Sequence, residues 1–250
     1  SLCLTNLPNL WFGFESQNWV MDQKIVLEVV PWVDYKASRG WDKSSKNELV
    51  AIAKKLPIVP KLTKKEQFYA NFIENITKKY TYREFTQLLS VEKNSEIEKI
   101  TEESLKSTGE LKLLYDIIRD KSFVAFQKGR YEEAIETIQT ELIKKNRATS
   151  IDYAILGDYY LYSKQFTKAE EAYLLGIKLN PSEINFQLNL AHVYLFTDKI
   201  SEAKTIHKKY AHESLFTGKT WTEQTKIDFE SFEKHQLPTN NFKKILRVLE

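Results

Sequence analysis

The stretch that decides the fold reads YAILGDYYLYSKQFTKAEEAYLLGIKLNP and occupies positions 153–181. A second stretch, QLNLAHVYLFTDKISEA at positions 187–203, repeats its spacing with a period of 34 residues. The corresponding residues are Leu156 and Leu190, Gly157 and Ala191, Tyr160 and Tyr194, Phe166 and Ile200, and Ala169 and Ala203. A repeat at such a period is typical of stacked helical hairpins, so it decides the architecture.

Within the first copy, the order of large and small residues indicates two packed helices. Leu156 and Tyr160 are four residues apart and share one helix face, as do Ala169 and Tyr173 in the following segment. The turn at 163–165 is short, so the two helices must run antiparallel. The small residues that let the helices approach are Gly157, Ala169 and Gly176, and the residue that ends the unit is Pro181.

These residues resemble the tetratricopeptide repeat, whose pattern of aromatic, Leu-Gly, Tyr, Ala, aromatic, small residue and Pro is met at all eight positions. The unit at 184–217 is weaker and departs from the pattern at Gln187, His207, Tyr210 and Leu215. Upstream, GRYEEAIETI at 129–138 copies the second helix, and a degenerate first helix lies at about 111–127. The resemblance therefore implies an array over about 111–216.

We predict a mostly α protein, a tetratricopeptide-like α-solenoid of about three helical hairpins with a C-terminal helical cap and a smaller N-terminal α-rich domain containing a strand. The predicted domains are 1–110, 111–216 and 217–250. In the cap, the spacing from Thr220 to Glu223 predicts a capping box that opens a helix. The helical spacing of Trp221, Phe229 and Phe232 predicts the buried side of that helix. Residues 242–249 have the pattern of a last amphipathic helix.

The first 110 residues resemble no family. Residues 24–30 are β-rich and predict the strand. Capping-box spacings that begin at Ser45, Thr63 and Thr81 predict three helices, and 91–110 reads as a solvated helix or a linker. The four tryptophans of this region indicate either a small core, which we favour, or an aromatic partner surface; they are Trp11, Trp19, Trp32 and Trp41.

The resemblance implies that partners bind on the concave side, which the first helix of each pair lines. Amide and imidazole groups there can hydrogen-bond a peptide backbone, and aromatic rings supply apolar contact. The candidates by position are Arg119, Phe123, Asp158, Tyr162, Asn185, Asn189, His192 and Phe196. The carboxylate-gripping subtype is not expected, because Asp158 and Ala154 stand where its first clamp pair would be sought. The alternative is that the polar candidates merely face solvent.

No catalytic, metal or cofactor site is predicted, so we do not expect an enzyme. The four histidines lack the i, i+4 spacing of helical metal ligands, and Cys3 is the only cysteine. The TGKT motif at 217–220 lacks the earlier glycine of a phosphate loop, because Glu213 stands there. A net charge of +3 with mixed signs does not favour nucleic acid, and the apolar stretches are too short to span a membrane.

The function expected from these patterns is a scaffold or adaptor that binds a protein or peptide partner in the concave groove. The alternative is the regulatory or C-terminal part of a larger enzyme or effector, whose catalytic region includes or precedes residues 1–110. A cytoplasmic location is expected. An envelope-associated one would follow if Cys3 carried a lipid tether, although an unpaired thiol without a role is the favoured interpretation.

Overall fold

The structure is a computed structural model, and it describes residues 38–250. Within this range the chain forms twelve α-helices and no β-sheet, which confirms the mostly α class. Several features of the sequence lie outside the described residues: the strand predicted at 24–30, Cys3, Trp11, Trp19 and Trp32.

Four helices precede the array, and they are α1 (Lys43–Lys54), α2 (Lys65–Lys79), α3 (Tyr82–Gln87) and α4 (Ser90–Thr108). Their apolar faces share one core, in which Trp41, Phe68 and Phe72 are buried. The indole N–H of Trp41 donates to the carbonyl of Tyr80 at 2.9 Å, so its one polar group is satisfied. Trp41 is therefore a core residue.

Two of the three predicted capping boxes in this region are wrong. Helix α1 begins after Asp42, whose carboxylate accepts from the backbone N–H of Ser45 at 2.7 Å, so Ser45 lies in the first turn. Thr63 does not cap α2, because its N–H and its hydroxyl both donate to Glu110 at 2.8 Å. The box at Thr81 is confirmed and opens α3. At Thr63, hydrogen bonds to the distant Glu110 therefore replace the local bonds of a capping box.

The charged stretch at 91–110 is a helix rather than a linker. Ile100 and Leu105 of α4 are buried and pack into the core that α2 also lines. The charged residues of α4 therefore cover only its outer side, which is the arrangement expected of an amphipathic helix.

The array consists of three hairpins: α5 (Leu111–Gln127) with α6 (Tyr131–Ile138), α7 (Ser150–Tyr162) with α8 (Phe166–Leu179), and α9 (Ile184–Tyr194) with α10 (Ile200–Tyr210). Each hairpin turns through a residue with positive φ: Gly129 at 72°, Lys164 at 62° and Asp198 at 59°. Each of these residues lies two positions before the second helix of its unit. A residue in the left-handed conformation is common where a helix has ended. The three hairpins therefore share this left-handed residue, although five residues separate α9 from α10 and three separate the helices of each earlier pair.

The array and the helices before it share α5. Leu111, Leu114 and Ile117 of α5 pack against the N-terminal core, whereas Ala125, near its other end, is buried in the core of the array. The predicted division between 110 and 111 therefore falls at the start of a helix that both parts use.

The chain ends in two helices, α11 (Trp221–Lys234) and α12 (Phe242–Leu249). The capping box at Thr220 is confirmed. Helix α12 lies beside α10 at the end of the stack. Helix α11 starts where Trp221 is buried between His207 and Tyr210 of α10, and its far end reaches α7. The C-terminal helices therefore cover more than the end of the stack.

Candidate functional site

We use the name inner face for the surface formed by α5, α7 and α9, the first helices of the three hairpins. All eight residues that the sequence predicts to contact a partner lie on these helices or directly after them. At its centre, Asp158 of α7 accepts from the hydroxyl of Tyr173 at 2.7 Å and from the amide of Asn189 at 3.4 Å. The structure thus brings Asp158 and Asn189 of adjacent repeats together.

The part of the inner face along α7 and α9 is covered by α11 of the same chain. The hydroxyls of Tyr162 and Ser231 are 2.8 Å apart and share a hydrogen bond. Phe232 lies against Tyr162 and Phe196, with ring centroids 5.9 and 5.8 Å apart. Residues predicted to contact a partner here already contact a helix, and that helix belongs to the protein itself.

His192 does not reach the surface in this conformation, since its side chain is only 1% exposed. Its ring packs against Phe229 and Phe232 of α11, with centroids 5.4 and 5.5 Å away. Its Nδ1 lies 3.6 Å from a carboxylate oxygen of Asp228. The part that His192 plays in partner binding stays a prediction, and a partner can contact it only where α11 has moved away.

Arg119 holds two repeats together. Its guanidinium donates two hydrogen bonds to the carboxylate of Asp152 on α7, at 2.8 and 2.9 Å, and a third to Asp116 at 2.9 Å. Burial alone would raise the pKa of Asp152, but the bonds from Arg119 and Thr149 outweigh it and hold that pKa below its usual value. Most of the donors of Arg119 are therefore used inside the protein.

Asn185 also has an internal partner. Its side-chain amide donates to the carboxylate of Glu183 at 2.7 Å, and the same carboxylate accepts from the backbone N–H of Asn185 at 3.2 Å. This pair caps the start of α9. Asn185 remains partly exposed, so contact with a partner there stays a prediction.

Phe123 marks the open end of the inner face, because half of its side chain is exposed, at 49%. It stacks on Phe126, with centroids 6.3 Å apart, and Phe126 in turn contacts Tyr162 edge-on at 5.4 Å. The aromatic row therefore runs from solvent at Phe123 to the buried edge of α11.

Two carboxyl groups with raised pKa values lie where α11 covers the inner face, Asp158 on α7 and Asp228 on α11. Burial raises the pKa of Asp158 to about 7, against the hydrogen bond from Tyr173, and the negative charge of Asp228 adds to the rise. Burial likewise raises the pKa of Asp228 to about 6, against a hydrogen bond from Gln224. Both carboxyls are thus held partly protonated near neutral pH. Asp228 was missed from the sequence, although a polar residue inside the apolar stripe of a helix is a visible signal.

Both histidines in this region are neutral at pH 7. Burial lowers the pKa of His207 to about 4. Burial and the nearby His207 together hold the pKa of His192 well below its usual range. The Nδ1 of His207 accepts from the indole N–H of Trp221 at 2.9 Å, while the Nε2 atoms of both histidines are buried without a hydrogen-bond partner.

Between residues 38 and 250, no three His, Cys, Asp or Glu side chains are grouped as metal ligands. Among the described helices, none combines the length and the apolar character that a bilayer span requires.

Comparison with known families agrees with this geometry. A family model described as tetratricopeptide repeat matches residues 153–183, which span α7 and α8. The chain carries a tetratricopeptide repeat. Tetratricopeptide repeats are protein-interaction scaffolds in general, and the family is typically non-catalytic. Neither the search of curated proteins nor the search of solved structures gave a match.

Proposed function

We propose that this protein is a scaffold or adaptor without chemistry of its own, and that a protein or peptide partner binds on the inner face of its tetratricopeptide array. The observation that supports this proposal is the aromatic row that begins at the half-exposed Phe123 and continues under α11. The row lies along helices of adjacent hairpins, so one extended ligand could contact several repeats.

Phe123 is the strongest single candidate on the open part of the inner face. Aromatic side chains at interfaces gain much of the binding energy because they bury a large apolar area at a small cost in conformational entropy. The stacking on Phe126 holds the ring in place before a partner arrives, which lowers that cost further.

The polar candidates contribute differently. Arg119 is bound to Asp152 and Asp116, so its change to Ala would disturb the packing of α5 on α7 as well as any contact with a partner. A joint change of Asp158, Asn189 and His192 would have the same defect, because His192 is buried. Exposed apolar positions therefore give the cleaner test.

The test places a photo-crosslinking benzophenone amino acid at position 123 in the full chain, in native lysate. The matched control carries it at Leu175 of α8, which is exposed to a similar degree, 45%, on a second helix of the array. We expect a partner to crosslink from position 123 and not from 175, and an excess of unlabelled wild-type chain to suppress the product.

The purified partner then gives the energetic test. Phe123→Ala should weaken binding by roughly tenfold or more, as expected for an aromatic anchor, while Leu175→Ala leaves the dissociation constant unchanged. Crosslinks that come only from position 175, or equal affinities of the two variants, would contradict binding on the inner face.

A further inference from the structure

Helix α11 shows what kind of segment binds in the groove between α7 and α9, which is the covered part of the inner face. Its buried residues fall on a single stripe at helical spacing, namely Trp221, Thr225, Phe229 and Phe232. Ile227 on the opposite side is 42% exposed. The groove therefore holds an amphipathic helix through an aromatic stripe, which is one of the recurring ways in which proteins bind peptides.

Helix α11 contacts three helices of the array, two of which, α7 and α9, form the groove. Trp221 hydrogen-bonds His207 of α10, Phe229 packs on His192 of α9, and Ser231 hydrogen-bonds Tyr162 of α7. Helix α11 thus contacts three helices of the array at once. Any helix that replaced it would have to present the same stripe of buried residues.

One feature of α11 opposes its own docking. Asp228 stands inside the interface, where it is partly buried and lies 3.6 Å from the ring of His192 on α9. Its negative charge disfavours the ionised form of Asp158 on α7. The nearby imidazole of His192 is neutral, so it supplies no positive charge to offset the pair. Two like charges in a partly buried site weaken the contact that contains them.

We propose that the groove between α7 and α9 binds an amphipathic partner helix in place of α11, one that repeats the aromatic stripe of α11 and carries an uncharged or basic side chain where α11 has Asp228. This rests on the proposed function, since it names the kind of partner that the inner face accepts. Such a side chain would remove the repulsion from Asp158 or turn it into attraction. The partner would thereby gain an advantage over α11.

The partner must compete with a helix that is always nearby. A segment tethered by a short link has an effective concentration of about millimolar, so α11 is a strong competitor even if its intrinsic affinity is modest. The apparent affinity for a free helix is reduced by the fraction of molecules in which the groove is open. Loosening α11 should therefore expose binding that the wild-type chain hides.

The experiment uses a fluorescein-labelled synthetic peptide of residues 221–235 and its Asp228→Asn and Asp228→Lys forms, titrated with full-length protein. The open variant carries Phe229→Ala and Phe232→Ala in α11, and the matched control carries Ile227→Ala on the exposed side of the same helix. We expect the open variant to bind the peptide roughly tenfold or more tightly than the control.

The peptides themselves test the second part of the proposal. The Asp228→Asn peptide should bind the open variant roughly tenfold or more tightly than the native peptide at pH 8. The two affinities should converge only near pH 4 and below, where Asp228 of the free native peptide is itself protonated. The groups that face this position are Asp158 on α7, which also loses its charge at low pH, and His192 on α9. Gln224, which donates a hydrogen bond to Asp228, is present in every peptide, whereas Lys219 lies outside the peptides and belongs to the protein in every titration.

Two results would overturn the proposal: an open variant with wild-type helical circular dichroism that binds no peptide, or Asp228→Asn and Asp228→Lys peptides that bind no more tightly than the native one. If the double variant loses its helical signal, Ser231→Ala replaces it, because that change removes only the bond to Tyr162. Its expected gain over Ile227→Ala is roughly threefold, and equal affinities would again overturn the proposal.

A failure of the helix-replacement proposal can be distinguished from a failure of the proposed function. A partner that crosslinks at position 123 while no peptide enters the groove would leave binding on the inner face intact and remove only the replacement of α11. Peptide binding to the open variant that Tyr162→Phe weakens would support the groove independently of any lysate partner, since that change removes only a hydroxyl.

Discussion

Gly157 and Gly176 stand at the two closest approaches within the matched repeat. A Cβ on Gly157 would overlap three ring atoms of Tyr173, which is itself fully buried. A Cβ on Gly176 would meet the backbone carbonyl of Ser150 at 3.3 Å, a tight but nearly ordinary contact. Both positions require a small residue because a neighbouring segment lies close by. Only at Gly157 is there no room for any side chain.

Gly157→Ala should therefore lower the free energy of unfolding by about 1–3 kcal/mol, because overpacking outweighs the better helix propensity of Ala. Displacement of the Tyr173 ring would also disturb its hydrogen bond to Asp158. Urea denaturation followed by circular dichroism measures the change.

Gly176→Ala is the matched control for this substitution. The better helix propensity of Ala, worth about 1 kcal/mol, should offset most of the strain at position 176. The loss of unfolding free energy in Gly176→Ala should therefore be at least about 1 kcal/mol smaller than in Gly157→Ala. Equal losses for the two variants would show that the contact between Gly157 and Tyr173 does not limit the approach of the helices.

At the scale of the element, α11 combines a strong apolar stripe with a poorly placed charge. Phe229 stacks face to face on Phe242 of α12, with centroids 4.0 Å apart, and Phe232 lies close to the same ring. These contacts hold the C-terminal helices to each other as well as to the inner face. Asp228 is the residue on which the balance between docking and release depends.

The pKa of Asp228 is raised by burial from 3.8 to about 6, so its ionised form is disfavoured in the folded protein. Stability should accordingly fall as pH rises from about 4 through about 6, over the range in which the unfolded chain is ionised and the folded site is not. Asp228→Asn removes this loss. We expect the variant to be more stable than wild type by about 1–2 kcal/mol at pH 8 and equally stable near pH 4.

Thermal unfolding at several pH values provides the measurement. Glu230→Gln, an exposed carboxylate change on the same helix, should leave the pH dependence as in wild type. A difference between Asp228→Asn and wild type that does not change from pH 4 to pH 8 would contradict the assignment of a raised pKa to Asp228.

At the scale of the whole molecule, Glu110 joins the N-terminal helices to the array. One of its carboxylate oxygens accepts from the N–H and the hydroxyl of Thr63 at 2.8 Å and from the N–H of Lys64 at 3.4 Å. Burial would raise the pKa of Glu110, but these hydrogen bonds outweigh it and lower the pKa below its usual value. The start of α2 is thereby tied to the start of α5.

Glu110→Ala should destabilise the protein by about 2 kcal/mol at pH 7, because it removes the buried carboxylate that accepts hydrogen bonds from Thr63 and Lys64. A carboxyl with a lowered folded-state pKa contributes stability above its unfolded pKa, and that contribution disappears as pH falls through the folded pKa. The difference from wild type should therefore shrink below about pH 4. Glu103→Ala, an exposed change on α4, should stay within about 0.5 kcal/mol of wild type, and a similar loss there would contradict the role of Glu110.

Contacts within the repeat pattern could be predicted from the sequence, whereas contacts that depend on how helices face each other could not. The spacing of the repeat placed Asp158 and Asn189 on adjacent first helices, and the structure brings them within 3.4 Å. The repeat spacing could not show that Arg119 binds Asp152, because that pair depends on how α5 and α7 face each other. The box at Thr63 failed for the same reason, since its partner Glu110 lies 47 residues away.

By itself, the sequence determined the hairpins of the array, because their turns, small residues and periodic apolar faces are encoded within 34 consecutive residues. It also determined that α11 is a helix with a buried aromatic side. Only the tertiary structure decided what that side is buried against. An amphipathic pattern states that a face avoids water but not which surface covers it, and the bond between Tyr162 and Ser231 joins residues 69 positions apart.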